Sequence, residues 1–518
     1  MQQKPNLQEK LAHIARLINR GDLRLAEAAA RQLLAAYPRR AEVHHALGEL
    51  LLLQGRPELA EDHLARAVAA EKGNAPMRLG LGQCLLTMGR VVEAEAEFER
   101  ARAMAPRNAK VLWRYGAWLL ATGRGEEALA VLDAAHAAAP ATGEDRHRIH
   151  LDKVECLLAM GRTEEAAREI RAALATTPFR HRYAVLLSQV DAGDDVAPLI
   201  DQELAKPGLP PVARSDLMIR RGSLKARAGQ HAEAFRDWMA AKRVLGLPPR
   251  GAELARAVVE RIAAFPAETI ARLSSLYGTP GPDPIFVIGL PRSGTTLVSE
   301  ILAAHEAVGN AGEIETMTYA AAMMRGARPL RDMEQALAER GAEKVKALAS
   351  LYWDAARFLA SPKPRPVDKM PNNFLYLAEI AILFPGARII ACSRHPADTF
   401  ISAIQTEMNE SHSYTHDPAD FALYHQHFRR LLRHWQGVLP GRIFEISYER
   451  LVSEPRPVVE GLLAFLDLPW QEACLSPGAN QSTVRTFSRL QVRSAIHAGS
   501  VGRWKPYAPW LGPILDAE

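Results

Sequence analysis

Cysteine is scarce in this sequence, confined to Cys84, Cys156, Cys392 and Cys474. The four stand far apart in apolar stretches, without the spacing of a metal site or the density of a disulfide framework. Buried, reduced thiols are the expectation. No run of about 18 apolar residues occurs, so no helix is expected to cross a membrane. The opening Met1-Gln2-Gln3-Lys4-Pro5-Asn6 lacks the apolar stretch of a secretory signal. These absences make a cytoplasmic protein with no membrane partner the expected setting. Excess charge is lacking too. Against 64 Lys and Arg stand 59 Asp and Glu, a net of +5. That suits an anionic ligand but is too small to argue for nucleic acid. What remains is ordinary globular material, 48% hydrophobic and 24% charged. A chain of 518 residues is too long for one core and implies roughly two to four domains.

The first half is periodic. Gly21-Asp22, Gly55-Arg56, Gly89-Arg90 and Gly123-Arg124 recur every 34 residues; Gly161-Arg162 follows after 38 and Gly229-Gln230 after 68, twice 34. Five residues past each glycine stands an alanine: Ala26, Ala60, Ala94, Ala128, Ala166 and Ala234. Nine past it stands a larger apolar residue in most units: Leu64, Phe98, Leu132, Ile170 and Trp238. Pro38, Pro106, Pro140 and Pro178 close units, and Gly48, Gly82, Gly116 and Gly222 precede the turn by seven. Small residues let two helices approach, large ones fill the gap to the next pair, and proline breaks the second helix. The pattern resembles the tetratricopeptide repeat. It implies five clear units from about 8 to 180, a degenerate one around Asp191 to Lys206, and a better one from about 213 to 246. The concave face of such a solenoid is expected to take a peptide or protein partner; a rigid spacer or dimerisation arm is the alternative.

A Pro/Gly cluster, Gly278-Thr279-Pro280-Gly281-Pro282-Asp283-Pro284, marks a boundary. After it, Ile285 to Ile288 read as a buried strand, Gly289 to Gly294 as a tight loop, and Thr295 onward as a helix with Leu297, Ile301 and Leu302 on one side. Strand, glycine-bounded loop and helix form a phosphate-binding geometry, because backbone N–H groups and the helix dipole converge on one anion. The glycine spacing fits G-x-x-x-x-G-K-[ST]. Thr295, however, stands where lysine should be, and the cation has moved inside the loop to Arg292. Such a loop is poorly equipped for a γ-phosphate but could hold a shorter anion. Strands at Arg388 to Ser393 and Ile443 to Ile446, alternating with helices, complete the expectation of a parallel sheet. The expected fold is an all-α tetratricopeptide solenoid (1–250), a helical linker (251–283), and an α/β P-loop-like domain with a central parallel sheet (284–518).

The loop resembles the 5′-phosphosulfate loop of sulfotransferases, and Pro291-Arg292-Ser293-Gly294-Thr295-Thr296 is most similar to the tyrosylprotein branch. The resemblance covers roughly residues 283 to 510. It implies 3′-phosphoadenosine 5′-phosphosulfate as donor, with its 5′ end held by Arg292, Ser293, Gly294, Thr295 and Thr296. An Arg-x7-Ser motif, here Arg394 and Ser402, would hold the 3′-phosphate through a guanidinium fork and a hydroxyl. Glu313, 21 residues after Arg292, matches the family's base for the acceptor hydroxyl, with Glu315 as its rival. Lys369 matches the lysine at the bridging oxygen, where negative charge develops. Ser488 matches a serine near that oxygen, Tyr448 a tyrosine reaching the 3′-phosphate, and Arg503-Trp504 the segment that closes over the nucleotide. Gln405 and Thr406 follow Ser402 where the tyrosylprotein branch tends to carry a basic residue.

The reading is a sulfotransferase acting on a hydroxyl acceptor, tyrosyl or peptide among the candidates, with the solenoid recruiting acceptor or partner. It requires no metal, since the donor has no β,γ-phosphate pair and no second strand-end aspartate is evident. His412, His416, His425 and His427 are expected to be solvated rather than metal-bound. Two alternatives stand: a P-loop kinase or NTPase, which the missing lysine opposes, and an interaction scaffold with a silent nucleotide domain, which the joint presence of Arg292, Glu313, Lys369 and Arg394 opposes. The 3′-phosphate assignment is directly testable. Arg394→Ala should weaken the 3′-phosphorylated donor by about 2–4 kcal/mol. Adenosine 5′-phosphosulfate should bind variant and parent alike. A variant that keeps a strong preference for the 3′-phosphorylated compound by calorimetry refutes the assignment.

Overall fold

The computed structural model describes residues 6–140, 143–177, 179–190, 196–279, 283–360, 362–408, 410–477 and 496–517. They fall into two compact units, 1–150 and 151–518.

In the first unit, helices Leu7–Asn19, Leu23–Ala36, Ala41–Leu53, Pro57–Ala70, Ala75–Thr87, Val91–Met104, Ala109–Ala121 and Gly125–Ala138 pair two by two. The repeat residues explain the pairing. Gly21, Gly55, Gly89 and Gly123 all have positive φ, the left-handed turn between paired helices. Ala26, Ala60, Ala94 and Ala128 are wholly buried. The arginine after the turn glycine also has a task. Arg56 pairs with Glu27 at 3.1 Å, Arg124 with Glu95 at 2.9 Å, and Arg90 with Glu61, each 29 residues back in the preceding repeat. These pairs are partly exposed, so each contributes roughly 0–1 kcal/mol; packing carries most of the stability.

The second unit begins with repeat helices and ends with the sheet. Helices Pro211–Arg227 and His231–Leu245 form its best repeat. Gly222 lies against Trp238, which is fully buried with its indole N–H donating to the Ile219 carbonyl at 3.2 Å. Helix Gly251–Ala264 starts where Asp420 accepts from the N–H groups of Arg250 and Gly251, both at 2.8 Å. It packs along helix Pro418–Val438, and helix Ala267–Tyr277 packs on helix Leu377–Leu383. The residues of the expected linker are therefore layered onto the sheet domain.

The sheet contains β1 (Ile285–Gly289), β2 (Val308–Gly312), β3 (Arg365–Asp368), β4 (Arg388–Ser393) and β5 (Ile443–Ser447), all parallel, in the order β2-β3-β1-β4-β5. β1 is buried throughout, as a continuous apolar run in a central strand requires. Its neighbours are β3 (Ile285 beside Val367) and β4 (Ile285 beside Arg388 through Gly289 beside Cys392). β2 was not expected from Val308-Gly309-Asn310-Ala311-Gly312, whose glycines and asparagine disguise it; its register shifts between Asn310 and Gly312.

Packing makes two glycines opposites. A Cβ at Gly222 would lie 2.6 Å from Trp238 Nε1 and 3.0 Å from the Ala234 carbonyl, whereas one at Gly437 would meet nothing within 4 Å. Gly222→Ala should destabilise the second unit by ~1–3 kcal/mol. Gly437→Ala, inside a helix, should stabilise it by up to ~1 kcal/mol. Urea denaturation of the two variants should give midpoint shifts of opposite sign.

Candidate functional site

The site is assembled at the carboxyl ends of β1 to β5, the edge where parallel sheets bind ligands. After β1 the chain turns through Leu290 to Gly294 and enters helix Thr295–Ala303. Arg292 has φ 72° and Gly294 φ 101°. Gly294 is unavoidable here: a Cβ would lie 2.8 Å from the Tyr448 ring, in a left-handed conformation that side chains avoid. Ser293, Thr295 and Thr296 are buried at the start of the helix, whose first N–H groups have no intrahelical acceptor. The Ser293 hydroxyl is buried without a hydrogen-bond partner.

Arg292 turns toward the β4 side, where its Nε donates to Ser402 Oγ at 2.9 Å. Ser402 lies in helix Pro396–Ile404, the element that follows β4. Arg394 donates through one nitrogen to the Arg292 carbonyl at 3.1 Å and through another to the Ser500 carbonyl. Its guanidinium covers the Tyr448 ring at 4.7 Å, and its Nε is buried without a partner. Burial, then the charges of Arg394 and Arg503, push the Arg292 guanidinium down to about 10. Burial likewise lowers Arg394, opposed by Asp398. Cations held together at such cost suit an anion.

Trp504 stacks on His395 at 5.0 Å, and Asp398 accepts from the N–H groups of Gly502 at 2.7 Å and Trp504 at 2.9 Å. Arg292, Arg394, Ser402, Tyr448, Arg503 and Trp504 thus belong to one cluster. Asp398, which pins the last segment, was missed by sequence reasoning, as was Glu449, which accepts from the His395 N–H at 2.9 Å and from Ser447 at 2.8 Å. Asp398 lies inside the Arg-x7-Ser interval at the start of a helix, a favoured place for a carboxylate. That signal was legible; its partners, over a hundred residues away, were not.

On the other flank of β1, Lys369 follows β3 and Glu313 follows β2, and the two form an ion pair. Lys369 is 2% exposed, whereas the Glu313 side chain is 46% exposed. Lys369 and Arg394 end the two strands either side of β1, so their backbones stand ~10 Å apart from strand spacing alone. Ile314 is buried between Glu313 and Glu315, which are both exposed residues. Crowding by protein atoms, then the charge of Glu313, raises the Glu315 carboxyl, while a hydrogen bond from Thr318 opposes this. Ser488 lies outside the described residues.

The histidine expectation fails in part. His412, His416, His425 and His427 are half-buried rather than solvated, and burial pushes His416 and His425 down to about 4. They lie on Glu410–His416, which packs on helices His231–Leu245 and Pro396–Ile404, and on helix Pro418–Val438, which packs under the helices of 251–277, an arrangement a polar stretch of sequence does not announce. Cys84, Cys156, Cys392 and Cys474 are all buried. Among the described residues no group of three or more His, Cys, Asp or Glu is placed to hold a metal ion, and no helix is long and apolar enough to cross a membrane.

Residues 284–472 match the model of the sulfotransferase family, and stretches 11–76, 51–113, 85–146 and 119–190 match tetratricopeptide repeat models. The C-terminal region is thus similar to the sulfotransferase family and the N-terminal region to tetratricopeptide repeats. An uncharacterized protein of Aquifex aeolicus is 29% identical over 389 residues, 72% of this chain and 51% of that protein. A putative protein-tyrosine sulfotransferase of Caenorhabditis briggsae is 26% identical over 226 residues, 42% of this chain and 80% of its own. The protein-tyrosine sulfotransferase of Drosophila melanogaster is 27% identical over 207 residues, 37% of this chain and 39% of its own. The chain therefore spans about half of the Aquifex relative. The sulfotransferase domain of the Synechococcus PCC 7002 olefin synthase superposes with a TM-score of 0.32 at 23% identity, covering 44% of this chain and 90% of that domain.

Asp368, next to Lys369, ends β3 and is thus a strand-end aspartate that the sequence did not disclose; it is completely buried. Burial pushes its carboxyl up to about 8, against hydrogen bonds from Tyr352, Asn373 and the Ile314 N–H. The folded chain therefore keeps a proton between about pH 4 and pH 8 that the unfolded chain has released. Stability should fall as pH rises through that window, by at most ~1.4 kcal/mol per pH unit. Asp368→Asn should remove this slope. Denaturation of parent and variant at about pH 5 and about pH 8 should show the parent losing more; equal losses would mean that Asp368 is ionised in the fold.

Proposed function

We propose that the protein is a sulfotransferase that moves a sulfuryl group from 3′-phosphoadenosine 5′-phosphosulfate to a hydroxyl acceptor, tyrosyl or peptidyl, recruited by the solenoid or by a partner bound to its concave face. A cytoplasmic setting accords with a chain whose four cysteines are few, far apart and buried. The observation that carries the reading is the convergence of Arg394 and Arg503 on Arg292, itself bonded to Ser402, on one side of β1, with the Lys369–Glu313 pair on the other. The residues fit such a donor: Ser293 Oγ and Arg394 Nε are buried polar atoms without partners, and the space over Gly294 is bounded by Tyr448 rather than by a side chain of its own.

When bound, the donor supplies a sulfuryl group whose sulfur–oxygen bond to phosphate breaks as a bond to the acceptor oxygen forms. In this reading Ser293, Gly294, Thr295 and Thr296 hold the 5′ end with backbone and hydroxyl donors. Arg292 orients it, while Arg394, Ser402 and Tyr448 face the 3′-phosphate and Arg503-Trp504 close over the nucleotide. Glu313 removes the acceptor proton. Lys369 trades Glu313 for the departing oxygen, so its Nζ changes partner in place, and a donor already buried pays little reorganisation at that moment. Ser488 keeps its proposed role near the bridging oxygen.

A kinase reading would need ATP and magnesium. Adenosine 3′,5′-bisphosphate should protect the full chain from heat and ATP with magnesium should not; the reverse would overturn the donor assignment. Chemistry separates the two carboxylates. Glu313→Gln should lose about 10²–10⁴ in kcat while keeping donor affinity, and Glu315→Gln should lose far less. The Glu313 defect should shrink for phenols already ionised near neutral pH, which need no base. Equal losses in both variants, or a defect independent of acceptor acidity, would make Glu313 a positioning residue.

A further inference from the structure

A cavity of about 730 Å³ lies within the second unit, walled on one side by repeat helices and on the other by Gln405 to Glu407 and by Arg503, Pro506 and Tyr507. Its size falls in the range of small-molecule sites, about 300–1,000 Å³. Its walls are tied together. Lys242 donates to the Thr406 carbonyl at 2.7 Å, Arg220 pairs with Glu407 at 2.7 Å, and Tyr507 packs on His231 and Trp238. Such bonds hold the cavity open as a shaped space. Neither Glu313 nor Lys369 lines it.

The charge count on its walls is uneven. Of the carboxylates, Glu407 is matched by Arg220, and Glu155 by Arg182 at 3.4 Å. Asp216 is half-buried, and burial followed by the charge of Glu407 pushes its carboxyl up to about 7. Near neutral pH it is partly protonated, a hydroxyl donor instead of a balancing charge. Arg227 and Arg503 have no carboxylate partner among the described residues. Arg220 Nε is buried without a hydrogen-bond partner. Two uncompensated guanidinium forks and a carboxyl donor match a group with three terminal oxygens better than a carboxylate with two. Val185, Leu186 and Leu224 supply an apolar wall for an organic body.

We propose that this cavity is a second ligand site, distinct from the donor site, for a small organic anion bearing a phosphate monoester or sulfate ester group. Arg503 belongs to this cavity and, by its effect on Arg292 and Arg394, to the donor cluster. An anion here and a nucleotide there draw on the same guanidinium and repel each other, so each weakens the other by the same factor. Only this coupling rests on the donor reading; the site itself does not.

The test uses the full chain with phenyl phosphate and phenyl sulfate as probes, titrated by calorimetry with and without saturating adenosine 3′,5′-bisphosphate. At least one probe should bind saturably, the preferred one identifying the ester class, and the bisphosphate should weaken it without abolishing it. Arg182→Gln/Arg227→Gln, both at exposed side chains outside the donor cluster, should weaken the probe by roughly tenfold or more and leave bisphosphate affinity unchanged. No saturable binding of either probe overturns the proposal. So does binding that the double variant retains in full, or that the bisphosphate eliminates, since the probe would then occupy the donor site. Failure of the bisphosphate to bind at all would sink the donor reading and leave the result for the cavity standing.

Discussion

The sheet order constrains everything at the site. With β1 between β3 and β4, the glycine-bounded loop is flanked by two strand ends of different chemistry. β4 delivers Arg394 and, one helix later, Ser402; β3 delivers Lys369, and β2 beyond it delivers Glu313. A parallel sheet puts all these ends on one edge, so groups as far apart as Arg292 and Ser402, 110 residues, meet without any long loop reaching across. The bond from Arg292 Nε to Ser402 Oγ joins the loop after β1 to the helix after β4 and sets the direction of the loop's only cation.

That direction divides the site electrostatically. Arg292, Arg394 and Arg503 lie close enough to disfavour one another's charges, an arrangement that an anion relieves. Asp398 offsets Arg394 only in part, and Arg394 is still lowered. The Asp398 carboxylate accepts from the backbone of Gly502 and Trp504 and so spends its charge on holding the segment that carries Arg503. Across β1, Lys369 is already balanced by Glu313. One flank is therefore short of negative charge and the other holds a cation and a carboxylate in contact, the division of labour that anion binding and proton removal would need.

The later repeat helices are part of this architecture. Lys242 and Arg220 hold the turn just past Ser402, and the aromatic cluster of His231, Phe235 and Trp238 receives Tyr507 and Trp510, next to Arg503 and Trp504. A change in that repeat is thus connected to the proposed nucleotide-closing segment through packed side chains, which is a physical route for coupling.

Local patterns were legible before any coordinates. The 34-residue period determined the helix pairs, because turn glycines and buried alanines are demanded by close helix approach at fixed intervals. The apolar run before Gly289 determined a buried strand, since only a central parallel strand hides both faces. The cation at Arg292, the Arg394 to Ser402 interval and the match to the sulfotransferase family are likewise properties of the linear order. What the tertiary structure alone decided lies between distant segments. β2 hid in a stretch rich in glycine and asparagine, because pairing with β3, not propensity, makes it a strand. The histidines of 412–427 read as solvated and are half-buried, because helices from distant parts of the chain pack on the two segments that carry them. Asp398 gained its role from a segment over a hundred residues away, and the cavity beside Arg503 arises only where repeat helices meet the turn after Ser402. Sequence reports which residues are small, apolar or charged and how they are spaced; which of them share a wall depends on the crossing of elements far apart in the chain, and that is set by packing.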